Sequence, residues 1–174
     1  LSLSVGTMAD DYAAEVFVYS GVGEGAVVPD DVIRVRIDPS VLVIPEHAFS
    51  VGSKMETIEL HDGLREIGPL AFECCVALRD VHLSDGVESI GSNAFVLCNF
   101  IKFRSPPLVT TTFYDGWADP EDVIGIPTGL LNYCQRLFSV EVPANIFQVD
   151  EMAFSRCYSL RNIALASYTK VEQC

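Results

Sequence analysis

A 23-residue period governs the middle of this chain. Phe49, Phe72 and Phe95 stand 23 residues apart, as do Ile58 and Val81, Leu60 and Leu83, and Ile67 and Ile90; Val35 and Ile37 carry two of these columns backwards. The units read as 41–63, 64–86 and 87–106, with the third one residue short. The register returns over 126–145 and 146–167, where Cys134 and Cys157, Leu137 and Leu160, and Val140 and Ile163 are again 23 apart. Five units and a partial leading one result.

Few folds accommodate such a period. A repeat of 20 to 29 residues with one strand per turn cannot bury its apolar side alone, so successive turns must stack into a solenoid. Coils about 4.8 Å apart place like residues over like, and the columns that must stay dry carry Phe, Ile, Leu and Val. Thr57–His61 alternates polar and apolar residues, which is strand periodicity, while Ala71-Phe72 and its equivalents sit in a tighter turn. Asp62-Gly63 and Asp85-Gly86 end the strands, because both residue types tolerate turn backbone. The predicted fold is a leucine-rich-repeat solenoid, with short parallel strands on the concave face and turns or short helical segments on the convex side.

The pattern I-x-x-x-A-F-x-x-C-x-x-L-x-x-V/I-x-L, at Ile67–Leu83 and, with Val149 leading, at Val149–Leu165, resembles the BspA-like class of leucine-rich repeats. The resemblance covers about residues 32–167. It implies a curved solenoid of parallel strands used for protein binding and adhesion, with no catalytic residues to carry over and with members often at bacterial cell surfaces. Two units depart from it: Gly52 stands where others have Cys, and Leu131 where others have Phe.

Three segments lie outside the regular register. Residues 1–31 are read as an N-terminal cap, with strands at Glu15–Tyr19 and Ala26–Val28 forming a hairpin around the glycine-rich Gly21–Gly25. Residues 168–174 form a short tail. Only nine residues follow Leu165, too few to cover a coil end, so the chain is expected to be part of a longer array or to self-associate through an uncapped C-terminal end. Between the third and fourth units about 14 extra residues fall within 112–125, carrying Tyr114 and the sole Trp, Trp117, among Asp115, Asp119, Glu121 and Asp122. Such a loop is either a recognition element for a basic partner or a solvated insertion whose Trp folds back on the solenoid.

Enzyme chemistry finds little support. Cys75, Cys98, Cys134 and Cys157 occupy one point of successive units, a straight column that cannot converge into a tetrahedral zinc site. Stacked Cys can reach disulfide distance, yet buried thiols acting as small hydrophobes explain the column directly. Cys74 and Cys174 stand outside it and are expected to be more exposed. His47, His61 and His82 fall at different points of the repeat, so no Ser-His-Asp or Cys-His set can be assembled. Gly21–Gly25 lacks the Lys and following helix of a phosphate loop. No cofactor or metal is expected.

Eleven Lys and Arg against 24 Asp and Glu leave a formal charge of −13, which repels phosphate backbones and anionic lipid surfaces and argues against nucleic acid as partner. No apolar run approaches the roughly 20 residues that span a bilayer. Residues 1–8 lack a basic n-region, so no secretory signal is visible and the cytoplasm is the expected compartment.

The outward strand positions remain. They form two columns: Arg34, Thr57, Asp80, Lys102, Ser139 and Asn162, beside Arg36, Glu59, His82, Arg104, Glu141 and Ala164. Charges often alternate from strand to strand, so cross-strand pairing is one account of the pattern. The other is recognition, since solenoid curvature turns this face into a concave binding surface. The expected function is a protein-interaction module using Arg34, Arg36, Thr57, Glu59, Asp80, His82, Lys102, Arg104, Ser139 and Glu141, with Tyr114 and Trp117 as a second candidate contact. The alternative is a passive spacer within a longer repeat protein.

Overall fold

The computed structural model describes residues 16–21, 28–100, 102–106, 125–165 and 170–171. Thirteen short strands make up its regular structure, in chain order β1 (Val16–Tyr19), β2 (Arg34–Ile37), β3 (Val43–Ile44), β4 (Thr57–Glu59), β5 (Glu66–Ile67), β6 (Asp80–Val81), β7 (Ser89–Ile90), β8 (Lys102–Arg104), β9 (Gly125–Ile126), β10 (Ser139–Glu141), β11 (Gln148–Val149), β12 (Asn162–Ala164) and β13 (Lys170–Val171). Among the described residues there is no helix, and the convex side is built from turns alone.

The pairing follows the repeat. Val35 lies beside Ile58 and Ile58 beside Val81 in parallel register, while Phe103 and Ile163 flank Val140. These strands form one side of the coil as β1-β2-β4-β6 and β8-β10-β12. A second set of two-residue strands forms the ladders β3-β5-β7 and β9-β11-β13. Each inward strand residue is apolar because it enters the stack: Val35, Ile44, Ile67, Ile90 and Val149 are fully buried. Phe49, Phe72 and Phe95 lie one over the next, with centroids 5.1 and 5.0 Å apart. Burying each such ring stabilises the fold by roughly 1.5–3 kcal/mol.

The leading segment also joins the sheet. β1 is a strand, but it pairs parallel with β2, Val16 beside Arg34 and Tyr19 beside Ile37. It is thus the first rung of the solenoid, and Tyr19, buried beneath Phe49 at 4.9 Å, begins the aromatic stack. A parallel rung extends the columns and hides the edge of β2. The return strand expected at Ala26–Val28 lies outside the described residues except for Val28, which belongs to no strand.

The convex turns carry a third ladder with no β geometry. In the first full unit His47, Phe49 and Val51 donate their N–H groups to the carbonyls of Pro69, Ala71 and Glu73 in the next coil. The intervening Ala48, Ser50 and Gly52 donate instead to Pro45, His47 and Phe49, closing successive four-residue turns. The third residue of two of these turns has a positive φ, as a type II turn requires. Those residues recur in register: His47, Leu70, Asn93, Gly129 and Met152 in one column, and Val51, Cys74, Leu97, Tyr133 and Arg156 in the other. Of these ten only Asn93 and Gly129 suit that backbone intrinsically.

Candidate functional site

The concave ladder is interrupted at one place. Among the described residues β6 and β8 are not hydrogen-bonded to each other, so the sheet divides between the third and fourth rungs after β1. The convex ladder runs on across the same junction, with Asn93, Phe95 and Leu97 donating to Thr128, Leu130 and Asn132. The cause is in the sequence. Val81 and Phe103 are 22 residues apart rather than 23, and the missing residue lies between Cys98 and Phe103. The shortened turn lets the outer side stay in register while the inner strand falls out of reach of its neighbour.

Aromatic side chains fill the core at this junction. The next coil offers Leu131 where Phe would continue the stack, and Phe95 instead meets Phe100 and Phe103 edge-on, at 6.0 and 5.8 Å. Phe100 is fully buried and Phe103 nearly so. Together they occupy volume that a column Phe would otherwise take.

On the concave side the break opens into a hollow of about 500 Å³. Its walls are Arg79, Val81 and His82 from the third coil, Asn99 and Lys102–Arg104 from the fourth, and Arg136, Ser139 and Glu141 from the fifth. Five of the residues expected at a binding face therefore come together here: His82, Lys102, Arg104, Ser139 and Glu141. Arg34, Arg36, Thr57 and Glu59 lie on the same sheet at β2 and β4, away from the hollow, and Asp80 occupies the rung beside Thr57. Tyr114 and Trp117 lie outside the described residues.

Three lining residues escaped the strand-column reading: Arg79, Asn99 and Arg136. Each precedes a strand instead of lying on it. Asn99 and Arg136 both stand four residues before the inward residue of their strand, Phe103 and Val140, so the repeat register carried the signal. Asn99 is held there by its amide, which donates to the Val76 carbonyl at 2.9 Å.

Charge is unevenly distributed around the hollow. Arg79, Lys102, Arg104 and Arg136 face one carboxylate, Glu141. Arg79 pairs with Glu56 at 3.7 Å and Arg104 with Asp85 at 3.2 Å, both outside the lining set. Lys102 and Arg136 have no carboxylate partner within ion-pair distance among the described residues. Cross-strand pairing accounts for one end of the face, where Arg36 meets Glu59 at 2.6 Å. It does not account for the hollow, since Arg104 lies in register with Glu141 yet pairs with Asp85.

The cysteines are structural. Cys75, Cys98 and Cys134 are fully buried free thiols, each donating at 3.2 Å to the carbonyl of Phe49, Phe72 or Phe95 in the preceding coil. Cys157 does the same toward Leu131 at 3.0 Å. Burial pushes the Cys98 and Cys134 thiols well up and raises Cys157 to about 11, so thiolates are disfavoured at these three positions. Cys74, beside the column, is half-buried, and Cys174 lies outside the described residues. Among the described residues no group of three or more His, Cys, Asp or Glu is placed to hold a metal ion, and no helix is long and apolar enough to cross a membrane.

Comparison with known proteins gives the same architecture. A leucine-rich repeat protein of T. pallidum superposes with a TM-score of 0.64 at 27% identity, over 80% of this chain and 60% of that one. One from Bacteroides ovatus gives 0.55 at 30% identity, over 74% of this chain and 36% of its own length. A third, from Eubacterium ventriosum, shares the fold with a TM-score of 0.60 at 23% identity, over 74% of this chain and 32% of that one. The chain thus spans less than two thirds of each of these relatives. Among curated proteins no match is found. The BspA type leucine rich repeat region matches six times, over residues 30–115 and 119–173. Repeat proteins of this kind generally serve interaction or structural roles, and with most of its length accounted for by those six copies the chain belongs to the BspA-type leucine-rich-repeat family.

Proposed function

We propose that the chain is a protein-interaction module whose concave strand face holds a macromolecular partner, with no chemistry performed on it. The observation that carries this reading is the hollow between β6 and β10, where five outward residues on or beside the strands converge on a concavity rich in charged groups. Rigid coils on either side hold those side chains in fixed relation, which lowers the ordering cost of binding. The residues used are Arg34, Arg36, Thr57, Glu59, Asp80, His82, Lys102, Arg104, Ser139 and Glu141, with Tyr114 and Trp117 as a further contact.

A photo-crosslinking amino acid placed at Thr57 or Ser139, and in parallel at the exposed convex positions Ser53 and Gln135, tests this in extract of the source organism. Adducts to a discrete protein are expected from the concave positions alone, and reversing the charges of Glu59, Lys102 and Arg104 together removes them. Adducts equal from both faces, or unchanged by the reversal, favour the spacer role.

Self-association through the C-terminal coil is a second reading with its own support. Tyr158, Ile163 and Leu165 are exposed there beside Phe154 around a hollow of about 420 Å³. The convex ladder is also directional: every coil donates N–H groups forward, and Met152, Phe154 and Arg156 hold that position in the last described turn. Light scattering across a hundredfold concentration range is expected to show growth beyond the monomer; a constant monomer mass refutes it.

A further inference from the structure

We infer that the hollow between β6 and β10 takes an acidic segment of a protein partner, a short cluster of Asp or Glu side chains flanked by uncharged residues. The inference deepens the concave-face reading and rests on it. Four of the chain's 11 Lys and Arg line this one cavity, in a molecule of net charge −13. Such concentration against the overall charge is not what a merely solvated surface gives. Two of the four, Lys102 and Arg136, have no carboxylate partner among the described residues, a place that a ligand's carboxylate can take. Arg79 and Arg104 have Glu56 and Asp85 on one side, which leaves guanidinium N–H groups on the other for a ligand. Guanidinium groups bind carboxylates through paired N–H donors, and Arg104 and Arg136 come from different coils, so they can meet two successive acidic side chains.

The rest of the lining narrows the class. Val81 and Phe103 supply an apolar floor, and Asn99 and Ser139 supply neutral hydrogen-bonding groups. Glu141 stands within the wall, where it repels a uniformly charged polymer but can accept a backbone or side-chain N–H from a peptide. A cavity of about 500 Å³ holds a few side chains, and beyond its rim the acidic surface turns away a long polyanion. Extended nucleic acid and sulfated glycan therefore fit worse than a short acidic stretch of protein.

The test uses a fluorescein-labelled peptide of six consecutive Glu residues flanked by Gly-Ser, with a Lys-substituted peptide as control and a heparin octasaccharide as competitor. Binding of the Glu peptide is expected by fluorescence anisotropy, weakening by about tenfold from 50 to 300 mM salt. K102E with R136E is expected to weaken it by at least about tenfold, since two attractive contacts become repulsive. K54E with R65E, the same charge change at exposed positions away from the concave strands, is expected to leave affinity within about twofold, and unchanged thermal melting shows that both variants fold. No binding of the Glu peptide, or equal loss in the two double variants, overturns the inference. Tighter binding of the heparin octasaccharide through Lys102 and Arg136 also overturns it and assigns the hollow to a sulfated glycan. Failure of the peptide while concave crosslinks persist rejects the acidic ligand and leaves the interaction face standing; loss of both rejects the face itself.

Discussion

Phe49 and Phe72 lie face to face, their centroids 5.1 Å apart and their planes 2° from parallel. Phe72 is stacked from both sides, with Phe95 5.0 Å beyond it, whereas Phe49 has Tyr19 tilted on its other side. Phe72→Ala is therefore expected to cost about 3–5 kcal/mol in urea unfolding, at the upper end for aromatic truncations. Phe72→Leu should cost much less, because Leu131 already occupies this column in another coil. A double-mutant cycle with Phe49→Leu should return a coupling of about 0.5–1.5 kcal/mol; additivity within error would mean that the stacked pair adds nothing beyond burial.

The positive-φ columns give predictions of opposite sign at neighbouring places. Val51 has φ 63° and its side chain is exposed, so a β-branched residue bears left-handed strain with little packing in return. Val51→Asn is expected to raise stability by roughly 0.5–1 kcal/mol, part of the 1–2 kcal/mol that the left-handed region costs an L-residue. Gly129, at φ 63°, should not tolerate Ala: the strain returns and a new Cβ would collide with the Asn93 amide. Differential scanning calorimetry should show Val51→Asn melting higher and Gly129→Ala melting lower than the parent.

Most of the solenoid was legible because burial acts on columns. A 23-residue period in Phe, Ile and Cys says which residues face inward, and Val35, Ile58 and Val81 lie side by side as that period requires. The hollow was half legible. His82, Lys102, Arg104, Ser139 and Glu141 followed from strand alternation, whereas Arg79, Asn99 and Arg136 reach it from turns, where alternation says nothing. The one-residue shortening was visible as a number, but its consequence depends on which side of the coil gives way. The left-handed columns left almost no trace, since Val51, Leu70, Leu97 and Tyr133 hold backbone that Gly or Asn would ordinarily mark. Inter-coil hydrogen bonds impose that conformation, overriding residue preference. The parallel pairing of β1 with β2 left no local mark, since the glycines after Tyr19 speak only of a turn, while the columns that follow reward a parallel rung.

The Arg36–Glu59 pair, though only 2.6 Å apart, is exposed on both sides. Exposed pairs gain little over hydration, so Arg36→Ala and Glu59→Ala should each leave the urea midpoint nearly unchanged. A larger loss would favour the view that charge alternation along the face exists for sheet stability.

The thiol column makes stability fall in alkaline solution. An unfolded thiol ionises near pH 8.5, while burial holds the Cys157 proton to about 11 and the Cys134 proton beyond it. In that interval the unfolded chain has released protons that the folded chain retains, so the unfolded state gains with rising pH. The stabilising effect is whole below about pH 8.5 and is lost as pH climbs toward 11. Burial raises Tyr19 in the same sense. Melting temperatures from pH 7.5 to 10.5 should decline, and Cys157→Ala should show the shallower slope; parallel slopes would exclude the column as the cause. At pH 8, iodoacetamide should leave Cys75, Cys98 and Cys134 unmodified until denaturant is added.

If the hollow exists because one residue is missing before β8, restoring that residue should close it. One Arg inserted between Ile101 and Lys102 gives this unit the 23-residue length of its neighbours, and Arg is the residue that precedes β6 at Arg79. Arg79 there donates its N–H to the Glu56 carbonyl of the coil before, and the inserted Arg would take the equivalent position between the fourth coil and the third. β8 can then pair with β6 as β6 pairs with β4, and those amides of Lys102–Arg104 that face β6 gain ladder bonds. Hydrogen exchange should slow at those amides, with exchange at Val35 and Ile58 unchanged. Affinity for the acidic peptide should fall even though the insertion adds a positive charge, because the cations lose the concavity that gathers them. Stronger peptide binding with unaltered exchange would show that charge alone, independent of the break in the ladder, makes the site.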